Sequence, residues 1–213
     1  ARAVGSRQVE GHAGNTLGTV LANLGDPERG IAELRAALQI ALDLHDIDDI
    51  GRAYVNLTHL LSDVGRWDEL LAVGPVGLAA TRRLGIDRTH GIYVEMNLAE
   101  GLEAVGRWDD AAAAHRSLAA RLPTGHWEYF AINCLDADRG DHDQLRAALD
   151  RVGRLPDQHT AVLQGLAEAF HAMVALAVWE GRLDDARALT DELLHRLPDA
   201  MLAWKVAPVL WRA

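Results

Sequence analysis

The sequence contains very little cysteine and lysine, and it has no long run of apolar residues. Cys134 is the only cysteine of the 213 residues, which excludes a disulfide within the chain and fits a reducing cytoplasm. No apolar run reaches the roughly 18 residues that a membrane span needs. The first residues also lack the apolar stretch of a signal peptide. We therefore expect a cytoplasmic protein that makes no membrane contact. Both ends look cut, so we expect an interior part of a longer protein.

The charge balance and the missing motifs exclude several classes of function. There are 31 acidic against 21 basic residues, a net charge of −10, so direct nucleic-acid contact by this segment is not expected. Lys205 is the only lysine, and no phosphate-binding loop is present. No Gly-x-Ser-x-Gly, no His-Glu-x-x-His and no cysteine pair occurs. We therefore predict a protein with no enzymatic activity, catalytic residue, cofactor or metal site.

A short pattern that contains glycine recurs along the chain. A small apolar helix end is followed by Gly, then in most copies by a charged residue, a large side chain and an acid. Successive glycines of this pattern lie roughly 34 to 41 residues apart, a period typical of helical solenoids. Glycine ends a helix because it adopts a left-handed conformation cheaply, and the acid favours the start of the next helix. The five glycines are Gly25, Gly65, Gly106, Gly140 and Gly181.

Apolar residues recur at helical spacing on both sides of these glycines, and no segment alternates with the period of a strand. The predicted fold is all-α, an α-α superhelix of about 11 helices in one domain over residues 1–213. It comprises five helix-turn-helix repeats and a terminal helix over 199–213. Pro75 predicts a kink or a shortened second helix in the second repeat. The repeats are predicted at 8–47, 48–88, 89–124, 125–157 and 158–198.

These residues resemble the tetratricopeptide repeat family. The third repeat matches best and the fourth is the poorest match. The resemblance covers nearly the whole chain and implies a solenoid that binds partners on a groove lined by the first helix of each repeat. Because the shared residues are packing residues, the resemblance implies little about the particular partner. The matching residues of the third repeat are Leu98, Ala99, Leu102, Gly106, Trp108, Ala111 and Pro123.

A second resemblance is to the helical-repeat segment of large bacterial regulators of the LuxR type and the maltose-activator type. It rests on Asn97-Leu98-Ala99-Glu100, on residues 106–111 and on residues 41–44. In those proteins the segment senses an inducer or holds a partner, between an ATPase module and a DNA-binding domain. The resemblance implies a ligand-sensing or protein-interaction module of a cytoplasmic transcriptional regulator, with a protein, a peptide or a small inducer as its partner.

Repeat positions select the candidate groove residues. Asn56 and Asn97 occupy equivalent positions of the second and third repeats, where their amides could hold an extended peptide. The alternative is that they bond neighbouring helix ends, and the sequence leaves both open. A second alternative is a structural spacer that self-associates through Trp204 and Trp211 of the terminal helix. The predicted groove residues are Arg52, Asn56, His59, Tyr93, Asn97 and Glu100.

Overall fold

The structure is a computed structural model that describes residues 5–121, 135, 139–140, 142–152 and 162–196. These residues form helices and contain no strand, so the predicted all-α class is confirmed. Nine helices lie within the described ranges. Two predicted helices, the first of the fourth repeat and the terminal helix with Trp204 and Trp211, fall outside these ranges. The chain divides into two compact units, residues 1–118 and 119–213.

The first unit is built from helix pairs. In each pair a first helix is followed by a tight turn and a second helix, and the first helix of the next pair packs on that second helix. Helix α1 also contacts α3, and α3 contacts α5, so first helices are neighbours. The helices are α1 (Arg7–Asn23), α2 (Pro27–Leu44), α3 (Ile47–Asp63), α4 (Trp67–Arg83), α5 (His90–Ala104) and α6 (Trp108–Arg121).

Polar side chains fix where the helices begin. Ser6, Asp26 and Asp46 each accept a hydrogen bond from the backbone amide three residues later, which satisfies a donor that the helix itself leaves without a partner. Pro27 stands in the first turn of α2, where its missing amide removes no helical bond. The backbone bond from Asp49 is the main reason that the pKa of Asp46 lies below its usual value. The helix starts are therefore encoded locally.

The glycines predicted to lie at turns end their helices in the left-handed backbone conformation. Gly65 has φ 70°, and its amide bonds the carbonyl of Ser62 at 3.0 Å. The amide of Arg66 bonds the carbonyl of Leu61 at 2.9 Å, which completes a Schellman motif. His45 performs the same function without being glycine: its φ is 53°, and its ring nitrogen Nδ1 lies 2.8 Å from the carbonyl oxygen of Leu42. The end of α2 therefore lacks the glycine that marks the other turns.

The core of the first unit lies between second helices and the first helices on either side of them. One cluster joins α2, α3 and α4, and a second adds α5 through Val94. Small residues allow close approach. A Cβ atom on Gly18 would lie 2.8 Å from the carbonyl oxygen of Gly30, and one on Gly30 would lie 2.7 Å from the carbonyl oxygen of Gly18. The first cluster contains Ile31, Leu34, Leu57, Leu60, Leu61 and Leu70.

Two expectations, one about Pro75 in the second repeat and one about the tryptophans of the turns, can be compared with the structure. Helix α4 runs through Pro75 for 17 residues, as long as α3, so of the two alternatives at Pro75 the shortened helix is wrong and the kink stays a prediction. Pro75 is exposed, so the break in the hydrogen-bond pattern lies on the side of α4 that faces water. Trp108, a packing residue according to the family resemblance, is 43% exposed, whereas its equivalent Trp67 packs against the core.

The second unit is described through α7 (His142–Val152), α8 (Val162–Trp179) and α9 (Leu183–Arg196). Val174 and Ala177 of α8 pack on Ala186 of α9 in a buried cluster. Burial lowers the pKa of His171 on α8. No helix in the described part of the chain is both long enough and apolar enough to cross a membrane.

Candidate functional site

The candidate site is the first-helix face, a surface formed by equivalent positions on α1, α3 and α5. Along α3 the side chains follow one another at spacings of four, three and four residues, which places them on one side of the helix. The three helices are first helices of successive repeats, so each presents the corresponding side. The face contains His12, Thr16 and Thr19 on α1, Arg52, Asn56, His59 and Asp63 on α3, and Tyr93, Asn97 and Glu100 on α5.

The two asparagines bond equivalent neighbours but differ in burial. The amide of Asn97 is 6% exposed and donates to Thr58 Oγ1 at 2.9 Å and to the Val55 carbonyl at 3.4 Å. It therefore ties α5 to α3. Asn56 is only half-buried and donates to Asn15 Oδ1 on α1 at 2.5 Å. Both amides thus donate to the preceding first helix, and the partners of Asn97 lie in the middle of α3 rather than at a helix end.

At one end of the face, a cation and an anion neutralise each other. Arg52 donates to Asp49 Oδ1 at 3.1 Å, and the same oxygen lies 2.9 Å from His12 Nδ1. Asp49 is 6% exposed, and it faces two basic side chains, one on α1 and one on its own helix. Arg52 is partly exposed, but its charge is compensated within the chain.

The other end of the face is acidic. His59 Nε2 lies 3.5 Å from Asp63, and Ser62 donates to Glu100 Oε2 at 2.8 Å. Glu100 keeps surface open to solvent, yet enough protein surrounds its carboxyl group that desolvation raises its pKa. The Ser62 bond and His59 oppose this shift, and Glu103 and Asp63 add to it. Desolvation also raises the pKa of Asp63. Both groups lie in the C-terminal halves of α3 and α5, where the helix dipole disfavours negative charge further.

Tyr93 completes the predicted set, and burial raises the pKa of its phenol. All six predicted residues lie on the first helices α3 and α5. Sequence reasoning missed three contributors. Asn15 lies one residue away from the position on α1 equivalent to Asn56, and Ser62 and Asp63 lie at the end of α3. The periodicity could have found Asp63, because it continues the stripe of Arg52, Asn56 and His59.

Two open recesses lie beside the helices of the first unit. One, of about 370 Å³, lies at the ends of α1 and α3 and is rich in acids. The other, of about 290 Å³, lies between α2, α3 and α4 and is mostly apolar. No group of three or more His, Cys, Asp or Glu in the described ranges could hold a metal ion. The first recess is lined by Gln8, Val9, His12, Ala13, Asp46, Asp48 and Asp49.

Comparison with solved structures shows the fold. A tetratricopeptide repeat protein of Thermus thermophilus is similar with a TM-score of 0.68 at 20% identity, covering 94% of this chain and 98% of that one. The fold is a tetratricopeptide-like α-solenoid. No family model and no curated protein matches the sequence.

Proposed function

We propose that this chain is a non-catalytic protein-interaction module whose first-helix face holds a protein or peptide segment with a basic side chain. The observation that carries the proposal is the acidic end of the face. Glu100 and Asp63 are carboxyl groups whose surroundings disfavour their charge. An arginine or lysine from a partner would stabilise their charged forms, and a charge-assisted hydrogen bond would form in partly desolvated surroundings.

The net charge of the chain supports the same kind of partner. An excess of ten negative charges steers a basic segment toward the molecule and raises its association rate. At the other end of the face, Arg52 is compensated by Asp49, so it adds little attraction for an acidic group. The face therefore favours a partner that places its basic side chain near the ends of α3 and α5.

A peptide array tests this proposal. Peptides of about twelve residues, with and without one arginine, are probed with the labelled chain and with the Asp63→Asn, Glu100→Gln double variant. The expected result is that arginine peptides bind the native chain and that the double variant loses at least about tenfold of that binding, as for a broken charge-assisted contact. Asp68→Asn, which removes an exposed acid from α4, is the matched control and should leave binding unchanged. Equal retention of all peptides by native and double variant would refute the proposal.

The alternative function is a structural spacer with no ligand on this face. It is favoured by the internal bonds of Arg52, Asn56 and Asn97, which connect first helices to one another. The array separates the two functions, because a spacer would show no arginine-dependent retention. Self-association measured by sedimentation would then be its expected property.

As the wider context, we propose a cytoplasmic bacterial transcriptional regulator of the LuxR type, in which this module senses a protein, peptide or small inducer. The support is the resemblance of residues 97–100 and 106–111 to such regulators and the single cysteine. The genomic sequence on either side of the segment is the test. An upstream phosphate-binding loop and a downstream helix-turn-helix domain are expected, and a parent gene that encodes neither would overturn this context.

A further inference from the structure

The apolar recess between α2, α3 and α4 lies on the side of α3 opposite the first-helix face. Its lining residues fall between residues 35 and 76, well inside the first unit. Its volume is about 290 Å³, close to the lower limit of small-molecule sites, which range from roughly 300 to 1,000 Å³. A recess of this size matches one ring or a short branched chain. The apolar lining consists of Leu38, Leu42, Leu57, Ala72, Val73 and Val76.

Tyr54 brings a hydroxyl group without a partner to this recess. Tyr54 is 5% exposed and lines the recess from α3. Its ring packs on α4, since a Cβ atom placed on Gly77 would lie 2.9 Å from Tyr54 Cδ1. Among the described residues, none forms a hydrogen bond with its hydroxyl group. A side-chain hydroxyl in so buried a residue is normally hydrogen-bonded, so an acceptor that enters through the recess would complete its bonding.

A positive charge acts on the same hydroxyl. Burial raises the pKa of the Tyr54 phenol, whereas the charge of Arg83 acts to lower it. Burial is the larger effect, so the phenol keeps its proton at neutral pH and remains a donor. Arg83 lies seven residues after Val76, on the same side of α4, and it is exposed. A hydroxyl donor beside an arginine favours an acceptor that carries negative charge.

The other polar groups of the lining are already paired. Arg35 bonds Glu69 of α4, and Gln39 donates to Asp43 at 2.8 Å. Asp43 also pairs with Arg7 at 3.2 Å, so its charge is compensated. No acid in the described part of the chain forms an ion pair with Arg83, so Arg83 is the charge beside the recess that is left without a counter-charge.

We propose that this recess binds a small carboxylic acid whose apolar part is one ring or a short branched chain. The apolar part lies against Leu42 and Val76, the Tyr54 hydroxyl donates to a carboxylate oxygen, and Arg83 compensates the charge. The bond between Arg35 and Glu69 joins α2 to α4 at one end of the recess, which closes the groove to a long helix and favours a small molecule. This site is separate from the first-helix face and does not depend on the function proposed for that face.

The probe is 4-fluorophenylacetate, followed by fluorine-19 NMR while the full chain is titrated into it. Its uncharged counterpart is 4-fluorophenylacetamide, which has the same ring. We expect the acid to bind at least about fivefold more tightly than the amide, because a charge-assisted hydrogen bond is roughly twice as strong as a neutral one. Acetate at the same concentration should not displace the probe, since it lacks the apolar part that the recess covers.

Variants of the chain locate the binding. Tyr54→Phe keeps the ring and removes the donor, so it should weaken binding of the acid about tenfold. Val76→Glu changes a residue that is 57% exposed and should weaken binding at least about tenfold, because it places a second carboxylate beside that of the probe. Arg83→Gln should weaken binding about threefold in about 150 mM salt and have no effect in about 1 M salt, where the Debye length is about 3 Å.

Two control variants are matched to these changes. Arg82→Gln removes an equally exposed arginine from the neighbouring position, which points about 100° away around α4, and it should leave binding unchanged. Glu100→Gln should also bind the acid as the native chain does. Failure of this proposal is therefore distinguishable from failure of the first-helix-face proposal.

Three results would overturn the proposal. The first is no binding of the acid, including the case in which a peptide with blocked ends and one leucine binds instead, because the recess would then hold a side chain of a partner protein. The second is equal affinity of the acid and the amide. The third is a Tyr54→Phe variant that binds the acid as tightly as the native chain does.

Discussion

Replacing Asn56 and Asn97 tests whether residues at equivalent repeat positions contribute equally to stability. The perturbation is replacement of each by alanine. Asn97 is 6% exposed and its shorter bond, to Thr58 Oγ1, is 2.9 Å long. Loss of one such bond costs about 1 kcal/mol, and the small cavity left by the amide adds to this. Thr58 still donates to the Tyr54 carbonyl, so no buried donor is abandoned. The expected loss for Asn97→Ala is about 1.5–2.5 kcal/mol.

For Asn56→Ala the expected loss is smaller, about 0.5 kcal/mol. Asn56 is half-buried, so water can enter after truncation and bond the Asn15 oxygen in its place. The assay is urea unfolding followed by far-ultraviolet circular dichroism, with the slope of the transition checked for constancy between variants. Equal losses for both variants, or a larger loss for Asn56→Ala, would show that the amide of Asn97 is not the interhelical tie described here.

The remaining predictions concern glycine positions and one carboxyl group. Gly30→Ala should destabilise by about 1–3 kcal/mol in urea unfolding, because the new Cβ would lie 2.7 Å from the Gly18 carbonyl oxygen. Gly14→Ala, whose Cβ would meet only ordinary contacts at 3.6 Å, should be neutral or stabilising by up to about 1 kcal/mol, and a loss there would refute the packing argument. Gly106→Ala should cost about 1–2 kcal/mol through its φ of 77°, and an unchanged midpoint would contradict this. Glu100→Gln should raise the thermal midpoint at pH 7 by at most about 2 °C. Because the folded-state pKa of Glu100 is raised, its charge costs stability above that pKa, so the difference should disappear below about pH 4.

The fold can be predicted from the sequence because the turns at helix ends favour one residue type, glycine. A left-handed helix end needs glycine unless the chain accepts backbone strain, so Gly65 and Gly106 identify their turns directly. His45 shows the limit of this reasoning. It takes the left-handed conformation without being glycine, so the joint between α2 and α3 carries no such mark.

Helical spacing predicts which side of a helix a residue lies on, but it does not predict how deeply that residue is buried. Helical spacing places Asn56 and Asn97 on the same side of their helices, yet only the packing of α5 on α3 decides that one amide is buried and the other is not. The two tryptophans of the turn motif differ for the same reason. Trp67 meets the core between α2 and α3, whereas Trp108 is 43% exposed. Local sequence cannot supply the neighbour against which a side chain packs.

The joints between repeats have different lengths, and this determines where the first unit can be modified. Only His45 and Asp46 lie between α2 and α3. His45 ends α2 and Asp46 caps α3, so both residues of that joint have a structural role. Between α4 and α5 the joint spans residues 84–89 and includes the exposed Arg88 and Thr89. An insertion after Arg88 would separate the Ile86 carbonyl from the amides of Thr89, His90 and Gly91, which all bond it, so it would loosen the first turn of α5. The longer joint can instead carry a label on an exposed side chain such as Arg88, from which occupancy of the first-helix face could be followed.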